Sequence, residues 1–171
     1  MTSDDTLRSA LAGDEQVSRS RRTLEGVVGI PATEGNRVTV LHNGCEIFPA
    51  MLGAIRGAEH TIDLLTFVYW KGQIGTEIAE ALCHRANAGI RVRVLLDAWG
   101  SRPIERYLVD DMIAAGVQLR WFRPLSLMRL GKVNHRTHRK VLVVDESVAF
   151  TGGVGISDLW GGCLLYTSRC V

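Results

Sequence analysis

From Arg37 to Thr151 the chain switches repeatedly between two hydrophobic periods, and that alternation restricts the fold more than any other feature. Val38–Leu41 is short and β-branched, after which Ile47, Met51, Leu52 and Ile55 recur at helical spacing. Thr61–Tyr69 is again β-branched and aromatic. Ile74–Ala88 carries Ile78, Ala81 and Leu82 on one helical face and stops at Gly89, and Ile90–Leu96 reverts to strand character. A third helix over Ile104–Ala115 precedes a short strand, Val117–Phe122. Arg123–Asn134 then reads as an irregular basic loop, followed by two strands, His138–Val144 and Val148–Thr151, joined as a hairpin through Asp145-Glu146-Ser147. This order predicts an α/β domain, a mainly parallel sheet with helices on both faces.

Composition removes several alternatives. With 171 residues, 46% apolar and 22% charged, the chain is neither low-complexity nor coiled coil, and it is long enough for one globular α/β domain. The apolar stretch Ile62–Trp70 is interrupted by Asp63 and falls far short of the roughly 20 residues that span a bilayer. The acidic start, Met1-Thr-Ser-Asp-Asp, has neither the basic beginning nor the apolar core of a signal peptide, so a cytoplasmic or membrane-peripheral protein is expected. Twenty Lys and Arg against 18 Asp and Glu leave a net charge of +2, too near balance to grip nucleic acid through overall charge. Any anion site must be local.

Three segments are expected: a poorly ordered N-terminal arm over 1–36, the α/β domain over 37–162, and a tail over 163–171. The tail, Cys163-Leu-Leu-Tyr-Thr-Ser-Arg-Cys-Val171, resembles translation of a transposon end used in sequencing libraries, so it is expected to be artefactual and the gene to continue past Gly162. Cys45 and Cys83 then remain within helical patterns, without CxxC spacing, and are expected as buried reduced thiols.

Chemistry concentrates near the end of the domain. Arg120, Arg123, Arg129, Lys132, Arg136, Arg139 and Lys140 lie between Met112 and Val144 with no carboxylate among them. His138 and Lys140, two apart in an extended segment, project from one face, setting an imidazole beside an ammonium. Such a pair suits phosphoryl chemistry: imidazole attacks phosphorus or moves a proton, and the ammonium neutralises charge developing on the phosphate oxygens. Asp145, at odd separation from both, should face away and fix backbone or a neighbouring loop. Val148–Thr151 runs into Gly152-Gly153, where a backbone can approach a ligand closely. Asp97, ending a parallel strand, is a further candidate for lining the site. Trp70, Trp99 and Trp121 are expected in core or rim packing before contact with lipid. No metal or cofactor is expected, because His135 and His138 have no Cys, Asp or Glu close before Asp145.

The spacing His138-x-Lys140-x4-Asp145-x6-Gly152-Gly153 resembles the HxKx4D motif of the phospholipase D superfamily. Asn134-His-Arg-Thr-His-Arg-Lys-Val-Leu-Val-Val-Asp and Phe150-Thr-Gly-Gly resemble the first catalytic half of bacterial cardiolipin synthases. The likeness extends upstream through Gly35–Leu41, Ile47–Met51, Ile62–Trp70 and Val94–Ser101. It implies a phospholipase D-like half-domain, metal-free phosphatidyl transfer or phosphodiester cleavage through a phosphohistidine, and two motifs meeting across one site. His138, Lys140 and Asp145 would then be the catalytic motif residues, with Gly152, Gly153 and Asn134 at the substrate. The implied partners are a phosphatidylglycerol-like phospholipid and either a second catalytic half or a second copy of the chain, on a membrane surface and without nucleic acid. Relatives often have Asn where Gly155 stands, and the carboxylate that orients the motif histidine lies further downstream in them. Two alternatives are a nuclease of the same superfamily, completed by dimerisation, and a fragment without activity.

Overall fold

The computed structural model describes residues 3–124 and 136–162, with side chains of the first segment from Gln16 onward. The chain forms two compact units, residues 1–40 and 41–171. In the first, where a poorly ordered arm over 1–36 is expected, α1 (Ser3–Val28) is helical, and the turn after it is tied back by Arg21, which donates to the Glu34 carboxylate at 2.5 Å and to the carbonyl of Ala32 at 2.8 Å. Residues 163–171, expected as an artefactual tail, lie outside the described residues.

The second unit holds α2 (Asn43–Gly57), β1 (Thr61–Thr66), α3 (Gln73–Asn87), β2 (Arg91–Asp97), α4 (Arg106–Ala114), β3 (Gln118–Phe122), β4 (Val141–Val144) and β5 (Val148–Thr151). The strands form one sheet in the order β3-β2-β1-β4-β5. β1, β2 and β3 are parallel, as their helical crossovers require, whereas β4 runs antiparallel to β1 and returns through a hairpin to β5. The hairpin turn works because Asp145 and Glu146 both take left-handed backbone, with φ of 50° and 55°. The strand–helix alternation is therefore translated into a mixed sheet whose core is parallel.

Two expectations need correction. Val38–Leu41 is not a strand: Val38 and Val40 are 87% and 70% exposed, and no described strand pairs with them. β-Branched residues form a strand only where a neighbouring edge accepts their hydrogen bonds. The helices of the second unit also cover one face of the sheet, not both. α2 packs beside α3 and α3 beside α4. Ile62, Leu64, Val92, Val94, Leu96, Leu142 and Val144 point into one core with Phe48, Leu52, Ile55, Ile78, Leu82, Leu108 and Met112 from those helices. Residues of opposite parity, Asp63 and Leu65 on β1, Leu95 on β2 and Val141 and Val143 on β4, are only partly buried. On that second face Arg93 of β2 forms a two-pronged ion pair with Asp63 of β1.

The cysteines are a smaller correction. Both lie in helices as expected, Cys45 in α2 and Cys83 in α3, but Cys45 is exposed and Cys83 half-buried. Burial nonetheless pushes the Cys83 thiol upward, the direction of an unreactive thiol.

Candidate active site

The register brings several loops to one end of the sheet. β1, β2 and β3 end there with Thr66, Asp97 and Phe122, and antiparallel β4 begins there, because Val141 pairs with Leu65. β5 ends there too, with Thr151 opposite Val141, so Gly152-Gly153 emerges beside the segment that carries Lys140. The carboxyl end of parallel strands is where open α/β sheets hold ligands.

His138 and Lys140 lie outside regular structure just before β4, which is shorter than the strand expected from His138. Their side chains meet: Lys140 Nζ is 3.4 Å from His138 Nδ1 and donates to the carbonyl oxygen of His138 at 3.2 Å. His138 is exposed and Lys140 half-buried. Behind them stands Phe67, one residue beyond β1, its ring centre 4.7 Å from that of the imidazole and 5.9 Å from the ammonium. In the sequence Phe67 is one aromatic residue within the strand-like segment Thr61–Tyr69, with no signal that it stands against His138.

The Asp97 side chain is fully buried at the end of β2. Its Oδ1 accepts from the backbone N–H groups of Trp99 and Gly100 at 2.9 and 3.1 Å and lies 3.7 Å from Arg136. Arg136 also donates to the carbonyl of Arg123 at 3.1 Å. Asp97 thus shapes the 97–101 loop and anchors the chain two residues before His138. Ser101 hydroxyl donates to the carbonyl of Phe67 at 3.0 Å, and the Trp70 indole donates to that of Gly100 at 2.7 Å, so this loop supports Phe67 from below.

Gly152 and Gly153 are exposed, and a methyl group on either would meet nothing within 4 Å. Neither has a positive φ, so nothing inside the chain requires glycine there. The loop is bracketed further on by Ile156, which exchanges backbone hydrogen bonds with Val68 and Trp70 at 2.9 and 2.8 Å. Gly155 is different: a side chain there would come within 2.6 Å of the Val68 Cβ, so packing excludes an Asn at this position.

Asp145 is not brought to His138 and Lys140. The whole of β4, Val141–Val144, lies between it and the segment that carries them. It sits at the other end of β4, where its carboxylate accepts the backbone N–H groups of Glu59, His60 and Thr61, each at 2.8 Å. Those bonds, that of Glu59 foremost, hold the Asp145 carboxyl below its ordinary value. A depressed carboxyl supports the fold above its unfolded pKa, and its contribution disappears as pH falls through the native value. Asp145→Asn should therefore lower stability at neutral pH and shrink the stability lost on acidification, as read by denaturant unfolding at a series of pH values. An unchanged pH dependence would contradict the contacts described. Asn134, Arg129, Lys132 and His135 lie outside the described residues.

Comparison with known proteins agrees with this architecture. The family described as "Cardiolipin synthase, PLD-like domain" matches residues 51–158, and the chain belongs to it. Cardiolipin synthase 1 of Bacillus cereus is 36% identical over 135 residues, 78% of this chain and 26% of the relative. Cardiolipin synthase B of Escherichia coli K12 is 36% identical over 126 residues, 72% of this chain and 30% of the relative. The chain thus spans between a quarter and a third of these relatives' length. Among solved structures, the phospholipase D family member Nuc from Salmonella typhimurium shares the fold at 21% identity and a TM-score of 0.50, over 66% of each chain.

Proposed function

We propose that this domain supplies half of a phosphatidyltransferase site, of the kind that forms cardiolipin by exchanging phosphatidyl groups between phospholipids. The observation that carries the proposal is the pairing of an imidazole and an ammonium at the carboxyl end of the sheet, within the segment matched by the family. The chemistry has two steps. A histidine attacks phosphorus, forming a P–N bond while the alcohol oxygen leaves and takes a proton from a second acid. An acceptor hydroxyl, deprotonated by that same group, then breaks the P–N bond and takes the phosphatidyl unit. The His-x-Lys spacing occurs once in the 171 residues, so the second histidine belongs to another catalytic half or another copy.

Gly152 and Gly153 present exposed backbone beside this pair, and they leave room for a phosphate where a Cβ would stand. Arg123 and exposed Arg139 add local positive charge to an otherwise near-neutral chain. Trp99, 53% exposed just past β2, is an amphipathic side chain of the type that settles at lipid headgroups. No helix among the described residues is long and apolar enough to cross a membrane, and peripheral docking on an anionic lipid surface fits these features.

The test is a graft. Residues matching Escherichia coli cardiolipin synthase B replace the corresponding segment of that enzyme, and cardiolipin formation is measured on phosphatidylglycerol vesicles. The graft should make cardiolipin, and Lys140→Ala should lower turnover by roughly 10²-fold, the scale of losing one preorganised charge. A graft that is folded by circular dichroism yet makes no cardiolipin would refute the proposal.

A further inference from the structure

One buried carboxylate stands behind both the imidazole and the ring it leans on. Asp97 Oδ1 accepts the N–H groups of Trp99 and Gly100, shaping the turn whose residues hold Phe67. Ser101 of that turn donates to the Phe67 carbonyl, and a methyl group on Gly100 would overlap both that carbonyl oxygen and the ring. From the other side Arg136, two residues before His138, lies 3.7 Å from the same Oδ1. It also donates to the carbonyl of Arg123, so it fastens the incoming chain to the ends of both β2 and β3.

The turn alone does not call for a charge. Both of its N–H groups fall on one oxygen, which an asparagine would supply equally, and Oδ2 has no hydrogen-bond partner among the described residues. Burying a carboxylate is unfavourable unless a cation compensates it, and the cation beside fully buried Asp97 is Arg136. We infer that Asp97 and Arg136 are positioning residues, a buried ion pair that sets where His138 stands against Phe67. On the phosphodiester reading above, on which its effect on turnover rests, the pair acts without touching substrate and whichever step His138 performs. Misplacing a reacting group by about 1 Å can cost about 10²-fold in rate.

The place of the imidazole is read from the carbon-bound ring protons of His138 in proton spectra of the 171-residue chain, assigned with His138→Gln. With the Phe67 ring centre 4.7 Å away these protons carry a ring-current shift, and Phe67→Leu gives their position without it. Asp97→Asn and Arg136→Gln should each move the His138 signals toward the Phe67→Leu position, and the double variant should move them no further than the larger single change. Arg136→Lys, which keeps the cation, should restore part of the shift. In the graft, each single variant should lower kcat by roughly 10- to 10²-fold with KM little changed. His138 signals unmoved by Arg136→Gln in a chain folded by circular dichroism, or single effects that add in the double variant, would overturn the inference. The Arg136 side chain is 13% exposed, not fully buried, so this variant decides the matter even where Asp97→Asn does not fold. A raised KM with unchanged kcat would also overturn it, by making Arg136 a substrate contact. The spectra need no turnover, so a graft that makes no cardiolipin would refute the phosphatidyltransferase proposal and leave the ion pair's role decided by the His138 signals.

Discussion

His138→Ala, placed in the graft, should reduce cardiolipin formation by at least about three orders of magnitude. On the proposed chemistry alanine removes one of the two histidines the transfer needs, so turnover falls whether that imidazole attacks phosphorus or moves the proton. The change should fall on kcat with little effect on KM, because exposed His138 contributes little to holding a ground-state phosphodiester that Lys140 and the Gly152-Gly153 backbone can still contact. It should leave stability nearly unaltered, since an exposed side chain packed on one ring face carries little of the core. Near-normal turnover in a folded His138→Ala graft would remove this residue from the chemistry.

Leu82→Ala should have the largest effect on folding. Leu82 is fully buried on α3, in the core made by three helices and the covered face of the sheet. Truncation removes its transfer energy and leaves a cavity, together costing about 2–5 kcal/mol. Domains of this kind are typically stable by only about 5–15 kcal/mol, so a substantial part would be lost. Denaturant unfolding should show a lower midpoint with an unchanged slope. A loss below about 1 kcal/mol would mean that α3 does not pack on the sheet as described.

Much of the fold was legible because its signals are local. Alternation over Thr61–Thr66 and Arg91–Asp97, and helical spacing through Ile78, Ala81 and Leu82, each report a face directly. What failed depended on distant neighbours. Val38–Leu41 has the composition of a strand but meets no strand edge among the described residues. The alternating order of strands and helices predicted a doubly covered sheet, yet the second unit's helices cover one side and leave Leu65, Leu95, Val141 and Val143 only partly buried on the other. At the candidate site, the parity of His138 and Lys140 sufficed to put their side chains together, whereas Asp145 is kept away by its place in the turn beyond β4, bound to the backbone of residues 59–61. The contribution of Phe67 was illegible: it lies beside His138 only because β1 and β4 pair, and its support comes from the turn that follows β2.

We propose the His138–Lys140 pair as one half of a phosphodiester-processing site. Size-exclusion chromatography of the 171-residue chain, with phosphodiesterase activity assayed in every fraction, tests that claim most directly. The partly covered second face of the sheet should lead the chain to self-associate, and with one His-x-Lys pair per chain no fraction should turn over substrate. A discrete dimer whose activity disappears on His138→Ala would show two copies completing the site, whereas phosphodiesterase activity in a monomer fraction would contradict the half-site.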